Sequence, residues 1–266
     1  MRYKDTKDSK IKSTKTAKIE AKDLSYKTLN EEIRGALKKG YKKIVLDNVC
    51  GQRYIGDGLR GNDVQILIKG VPGNDLAAFM DGPKIIIQGN AQDGIGNTMN
   101  AGEIVIHGHA GDIAGHSMRG GRIFIKEDVG YRAGIHMKAY GDLFPVIIVG
   151  GTCGDFLGEY MAGGLLVILG ITHNSNAAPY PPEIVGDFVG TGMHGGMILI
   201  RGRLDTRKLG REVRIAPASD EDISILTVHL KDFCKYFHLD RERILKTSFI
   251  KLYPYTHRPY GKVYAY

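Results

Sequence analysis

The sequence contains no tryptophan, only three cysteines and no long apolar segment. Cys50, Cys153 and Cys234 are widely separated, which argues against a disulfide framework, a paired-cysteine metal site and a clustered iron–sulfur motif. A membrane-spanning helix needs about 18 consecutive apolar residues, and no apolar run is that long. No secretion signal is recognisable. We therefore expect a cytoplasmic protein with reduced thiols and no membrane contact.

The positive charge is concentrated at one end of the chain. Residues 1–18 contribute +5 to the net charge of +8, which leaves only +3 for the remaining 248 residues. A basic face for nucleic acid is therefore not expected. The segment 1–18 is interpreted as a polar, disordered tail or an expression remnant, with a functional arm as the alternative.

Glycine is the residue in excess, with 36 copies in 266 residues, about twice the usual ~7%. Neither a collagen period nor an excess of serine or proline accompanies it, so defined places in the fold must require glycine. An eleven-residue frame, G-x3-G-x2-M-x-G-G, repeats through the chain. Its complete copies are Gly111, Gly115, Met118, Gly120, Gly121; Gly154, Gly158, Met161, Gly163, Gly164; and Gly186, Gly190, Met193, Gly195, Gly196.

Incomplete copies of this frame fill the intervals, and most copies are followed by a short strand rich in β-branched residues. A strand and a glycine corner every ~20 residues are typical of a β-solenoid. We predict an all-β fold, a single-stranded right-handed parallel β-helix of about seven coils with helical caps at both ends. The frame methionine position is occupied in turn by Leu59, Met80, Met99, Met118, Met137, Met161 and Met193.

The residue types of the frame have physical explanations. Corners that need a positive φ, or that leave no room for a side chain, select glycine. An inward position stacked on its own copies suits the unbranched methionine side chain. Asp112, Asp155 and Asp187 follow the first frame glycine, and we expect them to hydrogen-bond their own backbone in the turn.

Four segments are predicted along the chain: the tail 1–18, an N-terminal strand and capping helix at 19–43, the β-helix at 44–204, and a C-terminal helix with an extended aromatic tail at 205–266. The sequence TLNE predicts a capping box that starts a helix from Leu29 to Lys39. Residues 220–237 predict a second amphipathic helix at the opposite end. The insertion at 171–185 is either an inert surface loop or a partner contact.

The motifs that resemble catalytic sequences have structural interpretations. GHSMR lacks the second glycine of a GxSxG nucleophile turn, so Ser117 is interpreted as a coil position, and a stand-alone hydrolase remains as an alternative. His109, His116 and His136 occupy different frame positions, so no metal site is expected. The glycine strings lack the following helix of a phosphate loop. No catalytic, cofactor-binding or metal-binding residue is predicted in this chain.

The repeated frame resembles the GXGXG domain, which is shared by the C-terminal part of the glutamate synthase large subunit and a structural subunit of formylmethanofuran dehydrogenase. The segments that carry the resemblance are 51–59, 109–121, 154–170 and 187–200. In that family the domain is a right-handed β-helix without chemistry of its own. In glutamate synthase it lies against an amidotransferase domain and a domain that binds FMN and an iron–sulfur cluster. This chain begins MRYKD, without the N-terminal cysteine nucleophile, and lacks the cluster cysteines.

The resemblance implies a non-catalytic scaffold subunit of a glutamate synthase-like complex in glutamate biosynthesis and nitrogen metabolism. The implied partners are an amidotransferase subunit and an FMN-containing synthase subunit, so FMN and the iron–sulfur cluster belong to partner chains and this chain binds no cofactor. A structural subunit of a formylmethanofuran dehydrogenase-type complex is the alternative. Arg258 and Tyr260 are candidate partner contacts, because arginine and tyrosine are enriched at interface anchors.

Overall fold

The computed structural model describes residues 15–171 and 184–255. Their strands form one eleven-stranded sheet. The elements up to β6 are β1 (Thr16–Glu20), α1 (Tyr26–Lys38), β2 (Lys43–Cys50), β3 (Gln65–Val71), β4 (Asp81–Gln88), β5 (Ala101–Ile106) and β6 (Arg122–Ile125). The later elements are β7 (Val146–Val149), β8 (Ala162–Ile168), β9 (Gly195–Arg201), β10 (Val213–Pro217), α2 (Asp220–Phe237), α3 (Arg241–Leu245) and β11 (Phe249–Pro254).

Strands β1 to β9 are stacked in parallel, one coil above the next, which confirms the predicted parallel β-solenoid. The solenoid has about six turns, slightly fewer than the seven predicted. Equivalent positions pair from coil to coil, so that Ile104 lies beside Ile123 and Ile123 beside Ile147. These inward residues are fully buried and form a continuous interior stack.

Each coil turns through the frame by an alternation of backbone conformations. In all seven copies, the third, fifth and seventh frame positions have positive φ, as in Ile113 (52°), Gly115 (72°) and Ser117 (53°). The N–H of Ile113 donates to the Tyr131 oxygen of the next coil at 2.8 Å, and that of Gly115 donates to the Ile95 oxygen of the previous coil at 2.7 Å. The corners are thereby hydrogen-bonded between coils, although they are not strands.

Helix α1 closes the N-terminal end of the solenoid, as predicted, because Leu29 and Ile33 are buried in the same core as the inward strand residues. The helix begins three residues earlier than expected: Ser25 is the N-cap, and its hydroxyl accepts a hydrogen bond from the Thr28 N–H at 3.1 Å. Strand β1 pairs with Lys43–Asp47 and begins at Thr16, so ordered structure starts within the segment assigned to the tail.

Helix α2 has the predicted bounds, Asp220–Phe237, but the prediction that it caps the C-terminal end is wrong. It packs on the outer face of the sheet, where Phe233 meets Phe124 edge to face at 5.9 Å. The reason is that outward positions of β5 to β9 are also apolar and need cover. These outward residues, all essentially fully buried, are Val105, Phe124, Ile148, Val167 and Leu199.

Two antiparallel strands, not a helix, close the C-terminal end. Strand β11 pairs with β9, and β10 pairs with β11. Val213 of β10 and Leu252 of β11 belong to the interior core of the solenoid, so they cover its last coil. The predicted extended tail is a strand over Phe249–Pro254, and its residues 256–266 lie outside the described part of the chain.

Candidate interaction surface

Glycine is required at the first frame position because a Cβ would not fit there, and not because the backbone has a positive φ. Gly111 has no positive φ, but a Cβ there would overlap Oδ1 of Asp93, which lies in the preceding coil. That oxygen accepts a hydrogen bond from the Asp112 N–H at 2.9 Å, and Oδ1 of Asp112 accepts from the Tyr131 N–H at 2.8 Å. The expectation that the frame aspartates bond their own backbone is therefore wrong for Asp112 and Asp155, whose carboxylates accept hydrogen bonds from N–H groups of the following coil.

The other frame residues pack one coil against the next. The methionines, from Met80 to Met193, are fully buried. A Cβ on Gly158 would approach the Ile198 side chain to 2.8 Å, and a Cβ on Gly196 would approach Cε of Met161 to 2.6 Å. Met99, Met137 and Met161 thus fill the space that Gly121, Gly164 and Gly196 of the following coils leave open. The frame residues are used for packing between coils, and none of the frame glycines forms a ligand cradle.

Outward side chains at the seventh and ninth frame positions of three successive coils form a surface patch that no element of the described chain covers. We call this the corner surface and define it as Ser117, Arg119, His136, Lys138 and Tyr160. The rings of His136 and Tyr160 are stacked in parallel, with centroids 5.2 Å apart. Tyr160 is 39% exposed, and Arg119, His136 and Lys138 are also exposed.

The flanks of the corner surface add further rings. His116 meets His136 edge to face at 6.0 Å, and burial, assisted by the nearby His136, lowers the pKa of His116. At the third frame position Phe156 stacks on Phe188 at 4.9 Å. Arg132 covers the Phe156 ring at 4.4 Å and pairs with Glu159 at 3.0 Å. Stacked ring pairs between coils therefore occur at two frame positions, the third and the seventh.

A second polar cluster lies where α2 meets the sheet. Glu103, only 5% exposed, pairs with Lys84 at 2.9 Å and Arg122 at 2.7 Å, and it accepts a hydrogen bond from Tyr236. Arg122 also pairs with Asp232 of α2 at 2.6 Å. Because each charge in the group has an opposite partner, we interpret the cluster as a clamp that fastens α2 to the sheet.

The clamp borders an open pocket of about 360 Å³. Burial raises the pKa of Tyr236, and its hydrogen bond to Glu103 adds to this effect. Burial alone would lower the pKa of Lys84, but hydrogen bonds to Tyr236 and Glu103 outweigh it and raise that pKa. Lysine therefore stays charged and tyrosine neutral at ordinary pH, which is the state that the clamp needs.

Comparison with known proteins agrees with the repeat. The family model described as GXGXG motif matches residues 10–255. The chain belongs to the GXGXG family. It is also 46% identical over 260 residues to the uncharacterized protein MJ1350 of Methanocaldococcus jannaschii, an alignment that covers 96% of this chain and 98% of the relative.

The two buried cysteines of this GXGXG protein are not reactive nucleophiles. Cys153 and Cys234 are buried, and burial raises their thiol pKa values to about 12 and about 11. A thiolate is the reactive form of cysteine, so both thiols are inert at neutral pH. Cys50, at the end of β2, is exposed.

We predict that a thiol reagent at neutral pH labels one cysteine per folded chain, Cys50, and all three after denaturation. Mass spectrometry of the labelled peptides measures this directly. Cys50→Ser is the matched control and should abolish the rapid labelling. Fast labelling of Cys153 in the folded protein would contradict the packing described here.

Ser117 is not placed as a hydrolase nucleophile. It lies at a left-handed corner position with φ of 53°, and its N–H donates to the Ile135 oxygen at 2.9 Å. Within the described ranges no hydrogen bond joins its hydroxyl to a histidine, so the serine–histidine pair that activates such a nucleophile is not formed. The stand-alone hydrolase alternative has no geometric support.

Histidines of the GXGXG coils contact acidic residues without forming a metal centre. His109 Nε2 lies 2.7 Å from Glu127, and its Nδ1 lies 3.4 Å from Asp128. Across residues 15–171 and 184–255, no group of three or more His, Cys, Asp or Glu side chains is arranged to hold a metal ion. The His109 Nδ1 also accepts a hydrogen bond from the Asp128 N–H at 3.3 Å, so the group is a polar cluster that joins neighbouring coils.

Some sequence-based candidates remain predictions. Arg258 and Tyr260 lie outside the described residues, as do residues 172–183 of the predicted insertion. Both ends of that insertion are hydrogen-bonded to the preceding coil: the Ile171 N–H donates to the Gly150 oxygen at 2.6 Å, and the Cys153 N–H donates to the Ile184 oxygen at 3.0 Å. In the part of the chain that the structure describes, no helix is long and apolar enough to cross a membrane.

Proposed function

We propose that this protein is a non-catalytic scaffold subunit of a glutamate synthase-like complex. Partner chains would release ammonia from glutamine and use it for the reductive amination of 2-oxoglutarate. FMN and the iron–sulfur cluster would be bound by those partners. The cytoplasm is the proposed location.

One observation carries the proposal: the motif that defines the family is used entirely for coil packing. Frame glycines accommodate the backbone or side chains of adjacent coils, and frame methionines are fully buried. A rigid solenoid of this kind presents extended surfaces on which partners assemble. Membership of the GXGXG family supports a glutamate synthase-like context for those partners.

The first test is purification of the native protein from its own cells through two different columns, followed by mass spectrometry and an absorbance spectrum. We expect an amidotransferase chain and a flavin-containing chain to accompany it in a constant ratio. A partner with a pterin-bound metal would favour the formylmethanofuran dehydrogenase-type alternative. A lone, colourless protein would contradict both proposals.

A further inference from the structure

The corner surface is a long side of the solenoid that the described chain leaves open. Helix α2 covers the outer sheet face of β5 to β9, α1 closes one end, and β10 and β11 close the other. Arg119, His136 and Lys138 remain exposed. A partner therefore reaches this side without displacing any element of residues 15–171 and 184–255.

The rings on this surface occupy backbone positions that favour glycine. Tyr160 and His136 have φ of 52° and 54°, where a side chain with a Cβ is disfavoured. At the same frame position the first and last coils have Gly58 and Gly192. The rings gain a stacking contact with each other but keep exposed area. Every coil has a positive φ at this position, so the left-handed backbone belongs to the solenoid itself. The exposed pair of stacked rings is what distinguishes the corner surface.

Charge on the corner surface indicates the chemistry of what binds there. Arg119 and Lys138 occupy the ninth frame position of consecutive coils, which lie about 4.8 Å apart in a parallel stack. Both are exposed, and no acidic side chain of residues 15–171 or 184–255 forms an ion pair with either. Arg132, by contrast, is already paired with Glu159. Two adjacent cations without counter-charges attract an anionic group.

We propose that the corner surface binds an acidic protein segment of a partner subunit, in which aspartate or glutamate side chains flank an apolar anchor. The anchor packs on the stacked rings of His136 and Tyr160. The carboxylates pair with Arg119 and Lys138. This inference rests on the proposed function for the identity of the partner, but the surface and its chemistry are read from this chain alone.

Glycine substitution separates binding from folding at these positions. Tyr160→Gly and His136→Gly remove the rings while leaving a residue that tolerates the left-handed backbone, so we expect the melting temperature to stay within about 4 °C of the wild-type value. Lys138→Glu reverses an exposed charge and provides a variant that does not depend on backbone strain. Phe79→Gly is the matched control, because Phe79 has φ of 56°, is 57% exposed and occupies the same frame position outside the corner surface.

The experiment uses the full chain and the partner that co-purifies with the wild-type protein. The partner is immobilised on a sensor surface, and the affinity of each variant for it is measured at several salt concentrations. We expect Tyr160→Gly and Lys138→Glu to weaken binding about tenfold or more, and Phe79→Gly to leave it unchanged. Wild-type binding should weaken as ionic strength rises, and Lys138→Glu should reduce that dependence.

The possible failures are distinguishable. Unchanged affinity of folded Tyr160→Gly and Lys138→Glu overturns the corner-surface proposal and leaves the scaffold function standing. If the wild-type chain has no partner, the proposed function fails and the surface proposal fails with it. If the variants instead lose retention of a single-stranded oligonucleotide while the protein complex persists, the surface binds nucleic acid and the proposal is overturned.

Discussion

Replacing Gly120 by alanine should reduce the free energy of unfolding by about 3 kcal/mol. Gly120 is the tenth residue of a complete frame and has no positive φ. An added Cβ would overlap the carbonyl oxygen of Asn100 in the preceding coil and approach Cβ of Leu143 to 3.1 Å. Because the oxygen belongs to the backbone, no side-chain rotation relieves the overlap, and the coils must move apart.

Chemical denaturation measures this effect, and Gly35→Ala is the control. A Cβ on Gly35 has no neighbour within 4 Å, and the residue lies inside α1, where alanine is favoured over glycine by about 0.5–1 kcal/mol. The two substitutions are chemically identical and should change stability in opposite directions. If Gly120→Ala were as benign as Gly35→Ala, close coil contact would not explain the frame glycines.

Replacing Met161 by alanine should cost about 3 kcal/mol of unfolding free energy. Met161 is fully buried, and its Cε lies against Gly196 of the following coil. Alanine would leave a void along the solenoid axis, because the glycine opposite has no side chain that moves into the space. Met161→Leu should cost under about 1.5 kcal/mol, since it nearly conserves the volume.

The comparison between Met161→Ala and Met161→Leu separates the effect of lost side-chain volume from the effect of losing the thioether. Both variants are measured by the same denaturation experiment, with the slope of the transition checked for two-state behaviour. Equal losses for alanine and leucine would contradict the account, because they would show that the thioether itself, and not its volume, is required at this position.

The repeat made the solenoid predictable from the sequence. Strand and corner alternate along the chain, and the bounds of α2 were predicted correctly at Asp220–Phe237. The position of α2 was not, because an amphipathic pattern shows that one face is buried but not what covers it. A signal was present: VIIV of β7 is apolar at every residue, which is typical of a strand covered on both faces.

Details that depend on neighbouring coils were less accessible. Asp112 precedes a turn in the sequence, but its hydrogen-bond partner is Tyr131 of the next coil, and spacing along the chain does not distinguish the two possibilities. Ser25 and Thr28 are both suitable helix caps, and the structure uses the first. The corner surface requires the left-handed backbone of three coils, which no single copy of the frame reveals.

The most direct test of the scaffold account compares glutamine and ammonium as nitrogen donors. Glutamate formation from 2-oxoglutarate is measured with the isolated partner chains, with and without this protein. We predict that removing it lowers the glutamine-driven rate strongly and leaves the rate with saturating ammonium nearly unchanged, because the scaffold holds the two active sites together and performs no chemistry. Equal loss of both rates, or no loss of either, would contradict a scaffold role.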